Sequence, residues 1–356
     1  MFSFRTTSLA QQLDKSLQQG RVVCICTPGA YDASGGTYTW ELFAQRGNLQ
    51  KSLTLPEGEF AVDSEQAFSF TRENFAGADA VVVDLQDAGS RYFAPTRSVF
   101  TLMRLLESMG SGAPSLYIVD HLNPSGRIVE GSMGAVSKGG AFPKTCHRHG
   151  LTLGELCLLY QNEINFHPPL HVISALAEGA AQLLPWVISL SADLPGLFSC
   201  DMYSGGYLWR KTNFNPGLGT PRPYEYVGAP FLKVEPGEPI PVPEGVLLRP
   251  CTFVPGAGPY SGERCNGYQI LLRPGFDYPS LSHTLQMMRY FRAHCPQFRL
   301  TADFAATLAD ETLLDFVEGG SDWPTVREYL KVEEQKWIRK ARKFTLYENN
   351  PYRIKG

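Results

Sequence analysis

Asp84, Gln86, Asp87 and Arg91 follow one another within eight positions, directly after the apolar run Ala80-Val81-Val82-Val83. Two carboxylates can accept and return protons, an amide can order a hydroxyl, and a guanidinium can grip an anion with two parallel hydrogen bonds. The run before them is too short for a helix and too apolar for a surface strand. It reads as a central parallel strand with both sheet faces covered. In open α/β sheets a ligand binds in the crevice beyond the carboxyl ends of the strands, which is where this cluster falls. The competing reading is structural: an Asp/Arg pair that ties down the next helix.

Other chemistry-bearing residues fall at similar places. Glu57 follows the strand expected over Leu49 to Leu55 and sits beside Gly58, where little side-chain bulk would obstruct a ligand. Asp120 ends the run Ser115 to Asp120, and His149 follows Cys146-His147-Arg148. Carboxyl groups at such places can serve as general acid or general base. Glu57 is the candidate acid, with a pKa raised by burial in a closed cleft. Asp87 or Asp120 is the candidate base, and the residues do not choose between them. Asp84, nearest the buried strand, reads as structural. Arg91 either grips a substrate carboxylate or pairs with Asp87.

The elements that must position these groups alternate. Helical spacing covers Leu9 to Leu17, Trp40 to Gln45, Pro95 to Met109 and Thr152 to Tyr160. The last opens with a Thr152-x-x-Glu155 capping box. Strands are expected at Arg21 to Cys26, Leu49 to Leu55, Ala80 to Leu85, Ser115 to Asp120 and Leu170 to Ile173. This alternation predicts a parallel sheet wound on both faces, a Rossmann-like α/β domain over residues 1–185. Proline and glycine crowd residues 215–259, which favours loops and short strands. A strand at Tyr268 to Arg273 and helices at Leu281 to Ala293, Asp303 to Gly319 and Val326 to Phe344 complete a mixed α+β domain over residues 186–356.

Composition excludes several classes. The 356 residues are 43% hydrophobic with net charge −3 and no long basic run, which argues against nucleic acid and against a polybasic membrane patch. No run approaches the roughly 18–20 apolar residues of a membrane span, and the first residues lack the apolar core of a secretory leader, so a cytoplasmic protein is expected. Cys24 and Cys26 face one side of a strand and read as small buried hydrophobes. The eight cysteines contain no Cys-x-x-Cys pair, and His147-x-His149 has no ligand cluster around it, so no metal is expected. There is no Gly-x-Gly-x-x-Gly, no Walker loop and no Gly-x-Ser-x-Gly elbow, so no cofactor is expected.

Taken together, these motifs resemble the bacterial exo-β-N-acetylmuramidases, glycoside hydrolase family 171, from about residue 20 onward. The family's Asp-x-Gln-Asp-x-Gly-x-Arg-x-Tyr/Phe element stands at Asp84 to Phe93. Its Asp-Arg-Pro-Asn-Pro-x-x-Gly-x-x-Val-Glu-Gly element stands, one position shorter, at Asp120 to Gly131, and its Arg-His-Gly-x-Thr-x-Gly-Glu-Leu element at Arg148 to Leu156. Thr212-Asn213, Gly217, Gly219-Thr220, Pro223 to Pro230 and Tyr260 to Gly267 follow its second half. The resemblance implies two α/β-containing domains meeting at a cleft, and release of N-acetylmuramic acid from the non-reducing end of peptidoglycan saccharides. It implies Gln86, Arg91, Asn123, Glu130, His149, Asn213 and Tyr260 as substrate-binding residues; for Tyr260, packing is the competing reading. The partner implied is a small saccharide. Four positions depart from the pattern: Gly58 stands for the family's His, His121 for Arg, Arg210 for an acidic residue and Leu218 for Arg. They leave a second reading open, a muramyl-sugar-binding paralogue without catalysis. A nucleotide-dependent α/β enzyme is a third, resting on fold analogy alone.

Overall fold

β-branched and apolar runs alternating with amphipathic helices build the first half. The computed structural model describes residues 19–27, 36–55, 70–134, 143–174, 189–235, 237–273 and 275–347, with residues 17, 31, 32 and 68. Its elements are β1 (Val22–Cys26), β2 (Tyr31–Asp32), β3 (Thr37–Tyr38), α1 (Thr39–Arg46), β4 (Leu49–Thr54), β5 (Ala80–Asp84), α2 (Ala94–Met109), β6 (Ser115–Asp120), α3 (Leu153–Ile164) and β7 (Leu170–Ser174). Five of the strands form an all-parallel sheet in the order β4-β1-β5-β6-β7. The sheet therefore reverses its winding between β1 and β5, and that junction is the topological switch where doubly wound sheets open a crevice.

Strand alternation assigns each residue a face. Val23, Ile25, Val81, Val83, Leu116 and Ile118 pack under α2 and α3. Val22, Ala80, Val82, Tyr117 and Val119 pack with Phe43 of α1 on the other face. Extending the period-two pattern to the strand ends sends Asp84 to the α1 face and Asp120 to the α3 face. Both faces of β1 and β5 are covered, as their continuous apolar runs require.

The second half contains α4 (Leu197–Gly206), β8 (Tyr226–Ala229), β9 (Val246–Phe253), β10 (Cys265–Leu272), α5 (Ser280–His294), α6 (Phe304–Leu308), α7 (Glu311–Glu318) and α8 (Trp323–Ala341). Its sheet is antiparallel, in the order β8-β10-β9. Pro250 lies within β9, at the sheet edge where a missing N–H is tolerated. The single helix expected over Asp303 to Gly319 is two. Ala309 takes a left-handed conformation (φ 50°), and Asp310 restarts the chain by accepting a hydrogen bond from Leu313 N. The helix expected at Leu9 to Leu17 lies outside the described residues apart from Leu17, as does the expected domain boundary at 185/186. No helix among the described residues is long and apolar enough to cross a membrane.

The two halves exchange core residues. Ala88, Tyr92 and Phe93 pack into the core of the second half, and Trp337 and Ala341 of α8 pack into the core of the first. Trp337 is fully buried and its indole N–H donates to His149 O at 2.8 Å. Beside it, Glu334 accepts from Gly131 N at 3.0 Å, and Glu130 accepts from Ser280 Oγ at 3.2 Å. Burial pushes both carboxyl groups up to about 7, Glu130 despite the neighbouring Arg148 guanidinium. A folded-state pKa above the unfolded value means that the folded state binds protons more tightly. Stability is then fully present below about pH 4.5 and declines as pH rises through about 7. Glu334→Gln should flatten that decline, read as melting temperatures at about pH 5 and about pH 7.5. An equal fall in variant and wild type would remove Glu334 from this account.

Candidate active site at the carboxyl edge of the parallel sheet

Three buried aspartates stand at or just past the strand ends, each held by a threonine at the start of a helix. Asp84 closes β5 and accepts from Thr39 Oγ1, the first residue of α1. Asp87 accepts from Thr96 Oγ1 in the first turn of α2 at 2.5 Å, and from Gly89 N at 2.5 Å. Asp120 closes β6 and accepts from Thr152 Oγ1, the N-cap of α3, at 2.8 Å, and from Gly154 N at 2.7 Å. Helix N-termini offer unpaired N–H groups and a positive dipole end, which suits a carboxylate. Two glycines permit the approach. Gly89 has φ 78°, and a Cβ there would come 2.4 Å from Asn123 Oδ1; a Cβ on Gly154 would come 2.7 Å from Asp120 Cγ.

Two of the three carboxylates also face a histidine. Asp84 Oδ1 lies 2.6 Å from His121 Nε2, and Asp87 Oδ2 lies 3.3 Å from His149 Nε2. His149 accepts from Leu151 N through Nδ1 at 3.2 Å, which leaves the ring proton on Nε2, a buried atom that is near Asp87 but makes no hydrogen bond to it. The third, Asp120, accepts from the Tyr347 hydroxyl at 2.9 Å. Burial pushes Asp120 up to about 6, against the pull of its donors. Leu346 N meanwhile donates to Glu155 Oε1 at 2.8 Å, so residues 346–347 lie across the start of α3.

The remaining expected residues divide between site and framework. Gln86 is buried and donates to Asp87 O and Leu122 O, at 2.9 and 2.8 Å. Arg91 does not reach Asp87. Its guanidinium donates to the carbonyls of Ser132, Thr145 and Leu308 and meets His147 Nε2 at 2.8 Å. Burial and that guanidinium hold His147 well below the usual histidine range. Ser90, Arg91, Thr96, Arg97 and His149, with Phe93, Phe100 and Leu156, line a small hollow of about 20 Å³ beside Asp87's partner Thr96.

Asn123, Glu130 and Asn213, expected to hold sugar, are committed within the fold. Asn123 bonds Leu151 O and Ser125 N, and Asn213 bonds Gln297 O and Arg299 N. Glu130 lies between Arg148 and Ser280. Tyr260 takes φ 60° and packs edge-on against Phe231 at 6.1 Å. Glu57 and Gly58 lie outside the described residues. Of the departures, Arg210 faces Asp193 at 3.7 Å and Leu218 is buried in the second core. His121, Thr39 and Tyr347 have structural partners at the strand ends that were not expected. A histidine directly after a strand-end Asp was the available signal for the first.

The segments 84–93, 120–131 and 148–156 fold onto one another. Single β-bridges join Ser90 and Glu130 to Arg148, and Arg91 N and His149 N donate to His147 O and Gly89 O. A buried fork of Arg127 on Glu155 locks the second segment to the third. Removing one partner of such a pair leaves an uncompensated charge, so Arg127→Met should cost about 3–5 kcal/mol in denaturant unfolding. A loss below about 1 kcal/mol, the range of an exposed pair, would contradict the assignment.

Comparison with known proteins shows the family and the fold. The models for the N-terminal and C-terminal parts of the exo-beta-N-acetylmuramidase NamZ match residues 64–182 and 202–347. The peptidoglycan beta-N-acetylmuramidase NamZ of Bacillus subtilis is 24% identical over 293 residues, spanning 78% of this chain and 69% of that protein. Two crystal structures of DUF1343 family proteins from Bacteroides fragilis share the fold. One has a TM-score of 0.71 at 20% identity, covering 96% of this chain and 97% of its own. The other has 0.73 at 18%, covering 96% and 98%. With both models matched in order along one chain, this protein belongs to the NamZ family of exo-β-N-acetylmuramidases.

Proposed function

We propose that this protein is an exo-acting glycosidase that removes N-acetylmuramic acid from the non-reducing end of peptidoglycan-derived saccharides. The observation that carries the reading is the convergence of residues 84–93, 120–131 and 148–156 at the carboxyl edge of the sheet, held by backbone bridges through Arg148 and His149. These are the segments that bear the family's motifs. The substrate comes from what the Bacillus subtilis relative is named for.

In this reading Glu57 protonates the leaving oxygen. Asp87 and Asp120, each with both oxygens engaged and almost no exposure, act through their field rather than by contact. Buried negative charge near the crevice stabilises an oxocarbenium-like transition state. Hydrolysis by this route consumes water and needs no cofactor. The working division is residues 1–185 and 186–356, with α8 crossing back to the first part. All eight cysteines are unpaired, which suits a reducing compartment, and we place the protein in the cytoplasm on recovered wall fragments.

A second reading is a muramyl-sugar-binding paralogue without turnover. It draws on Leu218, whose side chain is packed in the core where the family pattern carries a cation. The two separate on one assay: incubation with a muramyl-glucosamine disaccharide and mass spectrometry of the products. Release of N-acetylmuramic acid is expected, and Glu57→Gln should lower it by about 10²–10⁴-fold. Saturable binding with no released sugar would favour the paralogue.

A further inference from the structure

We propose that the hollow beside Arg91 binds one small monovalent anion, of chloride's size, which serves as the counter-ion of that guanidinium. The site is independent of the glycosidase reading. Arg91 carries a charge that the fold leaves unanswered. It is 6% exposed, and among the described residues its terminal nitrogens meet the carbonyls of Ser132, Thr145 and Leu308 and the ring of His147, with no carboxylate. Burial keeps His147 neutral, so neither it nor the carbonyls cancel the charge. Two other arginines are buried as deeply, and each faces a carboxylate: Arg127 meets Glu155, and Arg148 meets Glu130 and Asp201. A buried ion without a partner of opposite sign is strongly unfavourable.

The hollow supplies a place for that partner. Its volume is about 20 Å³, room for a water-sized atom and far too little for a sugar ring. Every described residue on its wall except Arg97 is buried. Two N–H groups of wall residues have no hydrogen-bond partner: Nε of Arg91, and Nε2 of His149, which carries that ring's proton. Both residues are more than nine-tenths buried. Arg97 of α2 brings a second guanidinium to the same wall. Phe93, Phe100 and Leu156 form much of the remainder and offer no side-chain acceptor. Asp87 bonds to the wall residue Thr96, but both of its oxygens are taken, by Thr96 Oγ1 and Gly89 N.

The choice between a water and an anion turns on charge. A water would accept from the two unpaired donors, add no charge, and bring two protons of its own that need acceptors. A halide accepts from both donors and neutralises Arg91 in one step. It would also tie together three elements that meet at the carboxyl edge. Arg91 belongs to the segment after β5, Arg97 to α2 and His149 to the segment before α3. The anion is therefore a structural counter-ion that fixes His149 against the start of α2.

The test exchanges chloride for gluconate, which is too large for the hollow, at constant ionic strength and follows the melting temperature of the full chain. Wild type should gain about 2–4 °C in chloride, and the gain should saturate. Arg91→Met should show no gain. Crystals soaked in bromide should give an anomalous peak in the hollow, within reach of Arg91 Nε and His149 Nε2. That measurement needs no variant, so it decides the matter if Arg91→Met fails to fold. Density in the hollow without anomalous signal, as a water gives, would overturn the proposal. Bromide peaks found only elsewhere, or equal wild-type melting temperatures in the two salts, would do the same. Neither measurement uses a sugar, so failure of the glycosidase reading leaves this site standing.

Discussion

Burying three carboxylates along one edge of a parallel sheet is the constraint from which the rest of this structure follows. An isolated carboxylate costs several kcal/mol to bury unless donors replace its water. Asp84, Asp87 and Asp120 meet that demand in the same way, each taking a threonine hydroxyl from the start of a helix. The requirement fixes where α1, α2 and α3 begin. It also decides which face each serves, since strand alternation sends Asp84 to α1 and Asp120 to α3. The polar edge is thus a set of helix anchors first, and a reactive surface only where a side chain extends beyond them.

The first half is not self-sufficient. Trp337 of the last helix fills its core and caps the carbonyl of His149, the residue that faces Asp87. Tyr347 closes over Asp120. In return Arg148, fully buried, donates to Tyr278 O and to Asp201 Oδ1 in the second half. Changes in α8 therefore act on the backbone that carries His149 without touching a ligand. The seam is built partly from carboxyl groups whose burial raises their pKa, which couples the docking of α8 to pH.

Much of the fold was legible because the physics was local. Val81 to Val83 and the Ser115 to Asp120 run could bury both faces only as central strands, and Thr152 with Glu155 marked the start of α3. What was missed depended on distant partners. The break at Ala309 and Asp310 interrupts a pattern that reads as continuous helix. Asn123 and Asn213 look the same in sequence whether their amides meet a sugar or a neighbouring carbonyl. Arg91 read equally as a grip on a substrate carboxylate or a partner of Asp87; its guanidinium meets the backbone carbonyls of Ser132, Thr145 and Leu308. His121 stood out only as a departure; its meaning came from Asp84, 37 residues away.

The central claim is that the ligand binds at the carboxyl edge beside the switch between β1 and β5. The most direct measurement is a crystal structure with N-acetylmuramic acid bound. The account predicts the sugar at the carboxyl ends of β1 and β5, against residues 84–93 and 120–131. Density for the sugar on the antiparallel sheet, or anywhere away from those strand ends, would contradict it.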